Sequence, residues 1–291
     1  MAALVAAVLV MMNPATQISA TGAEAEAAFA DPPEIKALSA AVIDANTGRF
    51  LYTKNAEEPR AVASTQKLLV ALLILEAGGL DEEMEVQSTD LKVIGSKLGL
   101  KPGEKYSRRQ LVMTLLVKSA NDVAVALARD NAGTEQGFVD KMNARARELG
   151  AENTRFRNPH GLTEQGQYST ARDMALIARA AWQRPEVRNF AMVRRLNFEH
   201  PDGSTTELEN TNKLLDEMIT ATGLKTGTTR AAGYCLVASA TAGEQDVIAV
   251  VLGSTLNRLN QDAGSLLVWT LQGLGAPVPD ADIQKYGGST Q

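Results

Sequence analysis

Cysteine occurs once in this 291-residue chain, at Cys235, so no disulfide can close within it and the redox compartment is left open. Histidine occurs twice, as His160 and His200, and neither stands in a metal-ligand spacing such as H-E-x-x-H. No G-x-S-x-G elbow is present for a histidine-activated serine, and no G-x-G-x-x-G or phosphate-binding loop points to a nucleotide. No metal or cofactor is therefore implied. Basic charge is also in short supply: 29 Lys and Arg face 34 Asp and Glu, for a net charge of −5. Nucleic acid and anionic membrane surfaces are excluded as partners on that ground, and nothing in the sequence identifies a stable protein partner. No apolar run reaches the roughly 20 residues that cross a bilayer comfortably.

The longest apolar run, Met1 to Met12, is followed by small polar residues and by two small-residue cleavage patterns, Ile18-Ser19-Ala20 and Ala28-Phe29-Ala30. Residues 1–30 read as a secretory leader without its usual basic start. The expectation is an exported protein of the periplasm or envelope exterior, soluble or loosely tethered if this segment stays uncleaved.

Patterning begins at Ala37. Ser39 to Ala45 and Arg49 to Thr53, separated by Asn46-Thr47-Gly48, predict a β-hairpin. Ser64 opens a helical run to Ala77 that is apolar on every side from Leu68 to Leu75, which places it in an interior. A loop-rich stretch runs from Leu80 to Tyr106. Helices are predicted at Arg108 to Val117, Asp122 to Ala128, Thr134 to Leu149 and Thr170 to Ala181. Strands return at Arg194 to Phe198, Thr205 to Leu208, Gly223 to Gly227, Tyr234 to Ala240 and Val247 to Leu252. A last helix, about Gln261 to Leu271, precedes a polar tail over 275–291. Strands at both ends with helices between them predict an α+β fold: one antiparallel sheet built from both termini, with flanking helices and an inserted all-helical lobe.

Three short strings carry chemistry: Ser64-Thr65-Gln66-Lys67, Ser119-Ala120-Asn121 and Lys225-Thr226-Gly227. Ser64 and Lys67, three apart at a helix start, share one face, so Lys67 can take the serine proton once burial or a nearby cation depresses its pKa. Unpaired N–H groups at that helix start face a developing oxyanion. Ser119 can relay a proton and Asn121 can hold a substrate carbonyl. Lys225 supplies a second cation that disfavours protonation of Lys67 and attracts a carboxylate. Thr226 adds a hydroxyl, and Gly227 lets a peptide backbone pair with the strand edge. A serine with a lysine three residues later is commonplace at helix starts, where it is a cap and a solvated side chain. The three strings in this order are not commonplace.

With these motifs the chain resembles the low-molecular-mass penicillin-binding proteins that act as serine-type D-alanyl-D-alanine carboxypeptidases. The resemblance extends through Leu100-Lys101-Pro102-Gly103-Glu104, Asn158-Pro159-His160-Gly161-Leu162, Tyr168 to Met174, Ala232-Gly233-Tyr234 and Val251-Leu252-Gly253, covering about Ile35 to Leu274. It implies a β-lactamase/transpeptidase-like fold over 31–274. It further implies Ser64 as nucleophile, Lys67 as base, Ser119 as relay, Asn121 as orienter, Lys225 as electrostatic anchor, and the backbone N–H groups of Ser64 and Thr228 as oxyanion hole. Arg258 aligns with an arginine that binds the terminal carboxylate in relatives, although the loop here is about two residues shorter. Gln66 and Ala120 depart from the threonine and glycine common at these places. Too little sequence follows Leu274 for the second domain and membrane-binding helix of some relatives.

The implied activity is removal of the terminal D-alanine from peptidoglycan pentapeptide stems, with β-lactams as covalent inhibitors. Rivals that would use the same residues are a D,D-endopeptidase and a β-lactamase, for which Glu164 is the conceivable water-activating carboxylate; a third is a peptidoglycan-binding scaffold with a decayed site.

Overall fold

The structure, a computed structural model, describes residues 29–287. In chain order it begins with a hairpin of β1 (Ser39–Asp44) and β2 (Phe50–Lys54). The Asp44 carboxylate accepts from the backbone N–H groups of Asn46 and Thr47, and Gly48 takes a φ of +81°, a left-handed conformation that favours glycine. A 3-10 turn, Ala63–Gln66, leads into α1 (Lys67–Ala77). The loop-rich stretch contains a small ribbon of β3 (Glu83–Glu85) and β4 (Lys105–Ser107). Next come α2 (Arg108–Val117), α3 (Asn121–Ala132), α4 (Glu135–Glu148), α5 (Ala171–Trp182) and α6 (Pro185–Ala191). A ribbon of β5 (Arg195–Glu199) and β6 (Thr205–Glu209) and the short α7 (Leu214–Glu217) precede β7 (Ala221–Thr229), β8 (Gly233–Ala242) and β9 (Gln245–Ser254). The chain closes with α8 (Leu259–Gly273) and α9 (Asp280–Tyr286).

The main sheet has the order β2-β1-β9-β8-β7 and is antiparallel throughout, so its strands do come from both ends of the chain. Strand side chains alternate between faces, and both faces are buried. Ile43, Val237, Ile248 and Val250 pack with α1 and α5, while Val42, Leu236, Ala249 and Val251 pack with α8. Helix α1 lies inside the first of these cores, with Leu68, Leu69, Val70, Leu72 and Ile74 at most 1% exposed. Each such side chain contributes about 1.5–3 kcal/mol on burial. That burial is why the helix is apolar on every side.

Several expectations change. Ser64 does not start an α-helix; it sits in the 3-10 turn that precedes one. The strands at 195–199 and 205–209 form their own ribbon outside the main sheet. Helices α6, α7 and α9, of seven, four and seven residues, are too short for a readable period, although Pro185 at the first turn of α6 was an available start signal. Part of the expected polar tail is α9, whose Asp282 carboxylate accepts from the N–H groups of Ile219 and Thr220.

The reading of a leader falls on residues of which 1–28 lie outside those described. Of the remaining two, Phe29 stacks on Trp269 with ring centroids 5.0 Å apart, and the Ala30 carbonyl accepts from the Trp269 indole.

Tyr286 is 1% exposed and fills a notch over Gly264, where an added Cβ would stand 2.4 Å from its ring. Tyr286→Ala is expected to lower unfolding free energy by about 3 kcal/mol, the lower range for deleting a buried aromatic ring. Urea denaturation checks this, and unchanged stability would mean that α9 is not part of the packed core.

Candidate active site

Two strained or left-handed backbone positions shape the site before any side chain is considered. Ala63, with φ +49°, bends the chain into the 3-10 turn that carries Ser64, and Ser119, with φ +63°, breaks the path between α2 and α3. In a 3-10 turn residues three apart eclipse one another, so Ser64 lies directly over Lys67. The turn is clamped from both sides at contact distance. A Cβ on Gly227 of β7 would fall 2.7 Å from the Ser64 nitrogen, and one on Gly161 would fall 2.3 Å from the Ala63 carbonyl oxygen.

The Lys67 amino group is fully buried and reaches four oxygens: Asn121 Oδ1 at 2.6 Å, the Ser119 carbonyl at 2.8 Å, Ser64 Oγ at 2.9 Å and Ser119 Oγ at 3.4 Å. The Asn121 amide is oriented by donation from Nδ2 to the Ile94 carbonyl at 2.7 Å, which leaves Oδ1 for the lysine. A neutral amine has two N–H bonds and one lone pair. The Asn121 oxygen and the Ser119 carbonyl, which can only accept, take both N–H bonds. The lone pair is then left for Ser64. The Ser64 hydroxyl donates to the His160 carbonyl at 3.1 Å, so it has two acceptors to choose between.

Electrostatics favour the neutral amine. Burial, and after it the charge of Lys225, hold the Lys67 pKa well below that of a free lysine, with Asp122 opposing the shift. Lys225 on β7 is itself fully buried, donates to the Thr226 carbonyl at 2.9 Å, and is lowered by burial to about 7. His160 is pushed down to about 4, by burial and then by Lys67, so its imidazole is neutral. Its Nδ1 accepts from the Leu162 N–H at 3.2 Å, which makes the ring a brace for its own loop.

These groups border a cleft of about 390 Å³ between the sheet edge and the helical lobe. Ser64, Ser119, Asn121, Thr226, Gly227 and Thr228 all line it. Lys67 and Lys225 lie beneath its surface. Arg258 does not line the cleft, although Leu256, Leu259 and Asn260 around it do. It precedes α8, and its guanidinium turns to the buried Asp262 at 3.7 Å. That carboxylate already accepts from the N–H groups of Lys36 and Ala37. Glu164, the conceivable carboxylate base, lies 3.4 Å from the Asn158 amide and is not in the wall.

Sequence reasoning missed the His160 carbonyl, Thr211, Lys118 and Lys213 as cleft neighbours. A backbone oxygen has no sequence signal beyond its motif, Asn158 to Leu162. The others come from the α2 end and the β6–α7 loop, and only folding brings them together.

Among the described residues, no helix is long and apolar enough to cross a membrane, and no group of three or more His, Cys, Asp or Glu could hold a metal ion.

Comparison with known proteins agrees with this geometry. The sequence profile of the D-alanyl-D-alanine carboxypeptidase family matches residues 26–255. D-alanyl-D-alanine carboxypeptidase DacF of Bacillus subtilis is 38% identical over 76% of this chain, and the chain spans 58% of that protein's length. A D-alanyl-D-alanine endopeptidase of Escherichia coli is 34% identical over 89% of the chain, which spans 85% of it. The crystal structure of a Streptomyces DD-transpeptidase superposes with a TM-score of 0.77 at 31% identity, covering 84% of this chain and all of that one. The α+β architecture is therefore the transpeptidase-like one, and the chain belongs to the D-alanyl-D-alanine carboxypeptidase family.

Proposed function

We propose that the protein is a penicillin-sensitive serine D,D-carboxypeptidase that removes the terminal D-alanine of peptidoglycan pentapeptide stems. The observation that carries this reading is the buried Lys67 amine with both N–H bonds committed and Ser64 Oγ 2.9 Å away. The Ser64 proton passes to Lys67 as the oxygen attacks the carbonyl of the penultimate D-alanine. The backbone N–H groups of Ser64 and Thr228 receive the oxyanion. Ser119 Oγ, 3.4 Å from Lys67 Nζ, relays the proton to the leaving amine as the C–N bond breaks. Water then hydrolyses the ester.

Strand β7 is an edge of the sheet, so an extended peptide can lie along it past Gly227. Lys225 acts from beneath, by disfavouring the Lys67 ammonium. Such a substrate lies outside the cytoplasmic membrane, and the leader-like residues 1–30 agree with export to the envelope.

A D,D-endopeptidase is the second reading, supported by the likeness to the Escherichia coli endopeptidase. A β-lactamase is disfavoured because no carboxylate stands in the cleft wall among the described residues.

Incubation with a penicillin followed by intact-mass analysis and peptide mapping tests the proposal. A long-lived adduct on Ser64, with free D-alanine released from pentapeptide, is expected. Fast turnover of the adduct would identify a lactamase, cleavage of cross-linked dimers without D-alanine release an endopeptidase, and no adduct at all would refute the serine mechanism.

A further inference from the structure

Gly95 and Ser96 line the cleft, yet the segment that carries them, residues 94–100, belongs to no helix or strand. It is fastened instead to the first turn of α3 by the carboxylate of Asp122, which is fully buried. Asp122 Oδ1 accepts from the Leu98 N–H at 3.0 Å, and Oδ2 accepts from the Gly99 N–H at 2.9 Å and the Leu100 N–H at 3.4 Å. Oδ1 also accepts from the Val123 N–H of its own helix at 3.0 Å.

Two carbonyls of the same segment hold Asn121. The Ser96 carbonyl accepts from the Asn121 backbone N–H at 2.7 Å, and the Ile94 carbonyl accepts from Asn121 Nδ2 at 2.7 Å. Gly95 between them lies so close that an added Cβ would stand 2.9 Å from Nδ2. The direction of this amide matters, because only Oδ1 can take an N–H of the neutral Lys67 amine. An amide turned the other way would present Nδ2 to that amine, and the lysine lone pair would then accept from Asn121 instead of from Ser64.

We infer that Asp122 is a positioning residue for acyl transfer: it fastens the segment whose Ile94 carbonyl aims Asn121, and through Asn121 it keeps the Lys67 lone pair for Ser64. The inference rests on the proposed function, since it names what sets the geometry of that site's base. Asparagine cannot replace Asp122 at equal shape. Its amide has one acceptor oxygen, and its NH2 group would meet backbone N–H groups that themselves donate. The segment then loosens, and the Asn121 amide loses the acceptor that fixes its direction.

The test is a double-mutant cycle on acylation by penicillin, followed by stopped flow for the wild type, Asp122→Asn, Asn121→Ala and the double variant. Asp122→Asn is expected to keep a native circular dichroism spectrum and to acylate about 10–10²-fold more slowly than the wild type, the scale of a small misplacement at a reacting group. In the Asn121→Ala background the same substitution is expected to change the rate by less than about twofold, since no amide remains to be aimed. Equal losses in both backgrounds, which a merely structural role would give, overturn the inference, as does a wild-type rate in folded Asp122→Asn. Should Asp122→Asn fail to fold, Gly95→Ala takes its place in the cycle. Its Cβ presses on Asn121 Nδ2 from the same segment without touching the carboxylate, and the same results decide. A wild type that forms no adduct on Ser64 defeats the proposed function instead, so the two failures are distinguishable.

Discussion

Replacing Lys67 with alanine is expected to leave a folded protein whose acylation by penicillin is slower by roughly 10²–10⁴-fold, the range for removing a positioned general base. Ser64 would remain in its turn, still donating to the His160 carbonyl, but no group would take its proton. The substitution also leaves Asn121 Oδ1 and the Ser119 carbonyl without their lysine donor, at about 1–3 kcal/mol for each buried group left unpaired. Stopped-flow acylation with circular dichroism on the same sample separates lost chemistry from lost fold. Acylation at the wild-type rate would refute the assignment of the base.

The same assignment dictates a pH profile for the wild type. Only the neutral amine can accept a proton, and the folded Lys67 pKa lies well below the ordinary 10.5. Acylation therefore rises with pH through that lowered value and levels off far below pH 10. Lys225, itself lowered by burial to about 7, is one of the causes of the Lys67 shift, so the limb belongs to the coupled pair rather than to either lysine alone. A rising limb centred near the value of a free lysine would show that burial does not tune the base.

Gly227→Ala is expected to cost nearly as much by a different route. Its Cβ would stand 2.7 Å from the Ser64 nitrogen, 2.9 Å from the Thr65 nitrogen and 3.0 Å from the Val62 carbonyl, all of them backbone atoms with no flexible end to move aside. Strand and turn must separate, which would spread the N–H groups of Ser64 and Thr228, the proposed oxyanion donors. Loss of one oxyanion donor slows acyl transfer by about 10²–10³-fold, and overpacking of this kind costs about 1–3 kcal/mol of stability. Acylation kinetics and thermal denaturation read the two effects. A variant with unchanged acylation would mean that β7 does not hold the turn in place.

Residues whose role depends on their own identity were legible before folding was considered. Ser64, Lys67, Ser119, Asn121 and Lys225 announced themselves because three motifs in fixed order demand them, and the buried α1 followed from its unbroken apolar run. The hairpin β1–β2 was visible in its turn chemistry. Misreadings fell where short elements lack a full period, as in α6, α7 and α9. Side-chain direction has no sequence signal either: the place of Arg258 in the chain suggests a carboxylate ligand, and only the fold shows its guanidinium 3.7 Å from the buried Asp262. The register of β1 against β9, pairing Ala41 with Val250, joins residues more than two hundred positions apart and has no local signal.

Sequence alone settled which chemical groups this protein owns and in what order they occur, because side-chain chemistry and local periodicity are properties of neighbouring residues. Tertiary structure decided how those groups behave. Burial lowers the Lys67 pKa, the Asn121 and Ser119 oxygens occupy its two N–H bonds, and two glycines let distant backbones meet at Ser64. Solvent exclusion and contact between remote segments exist only once the chain has closed on itself.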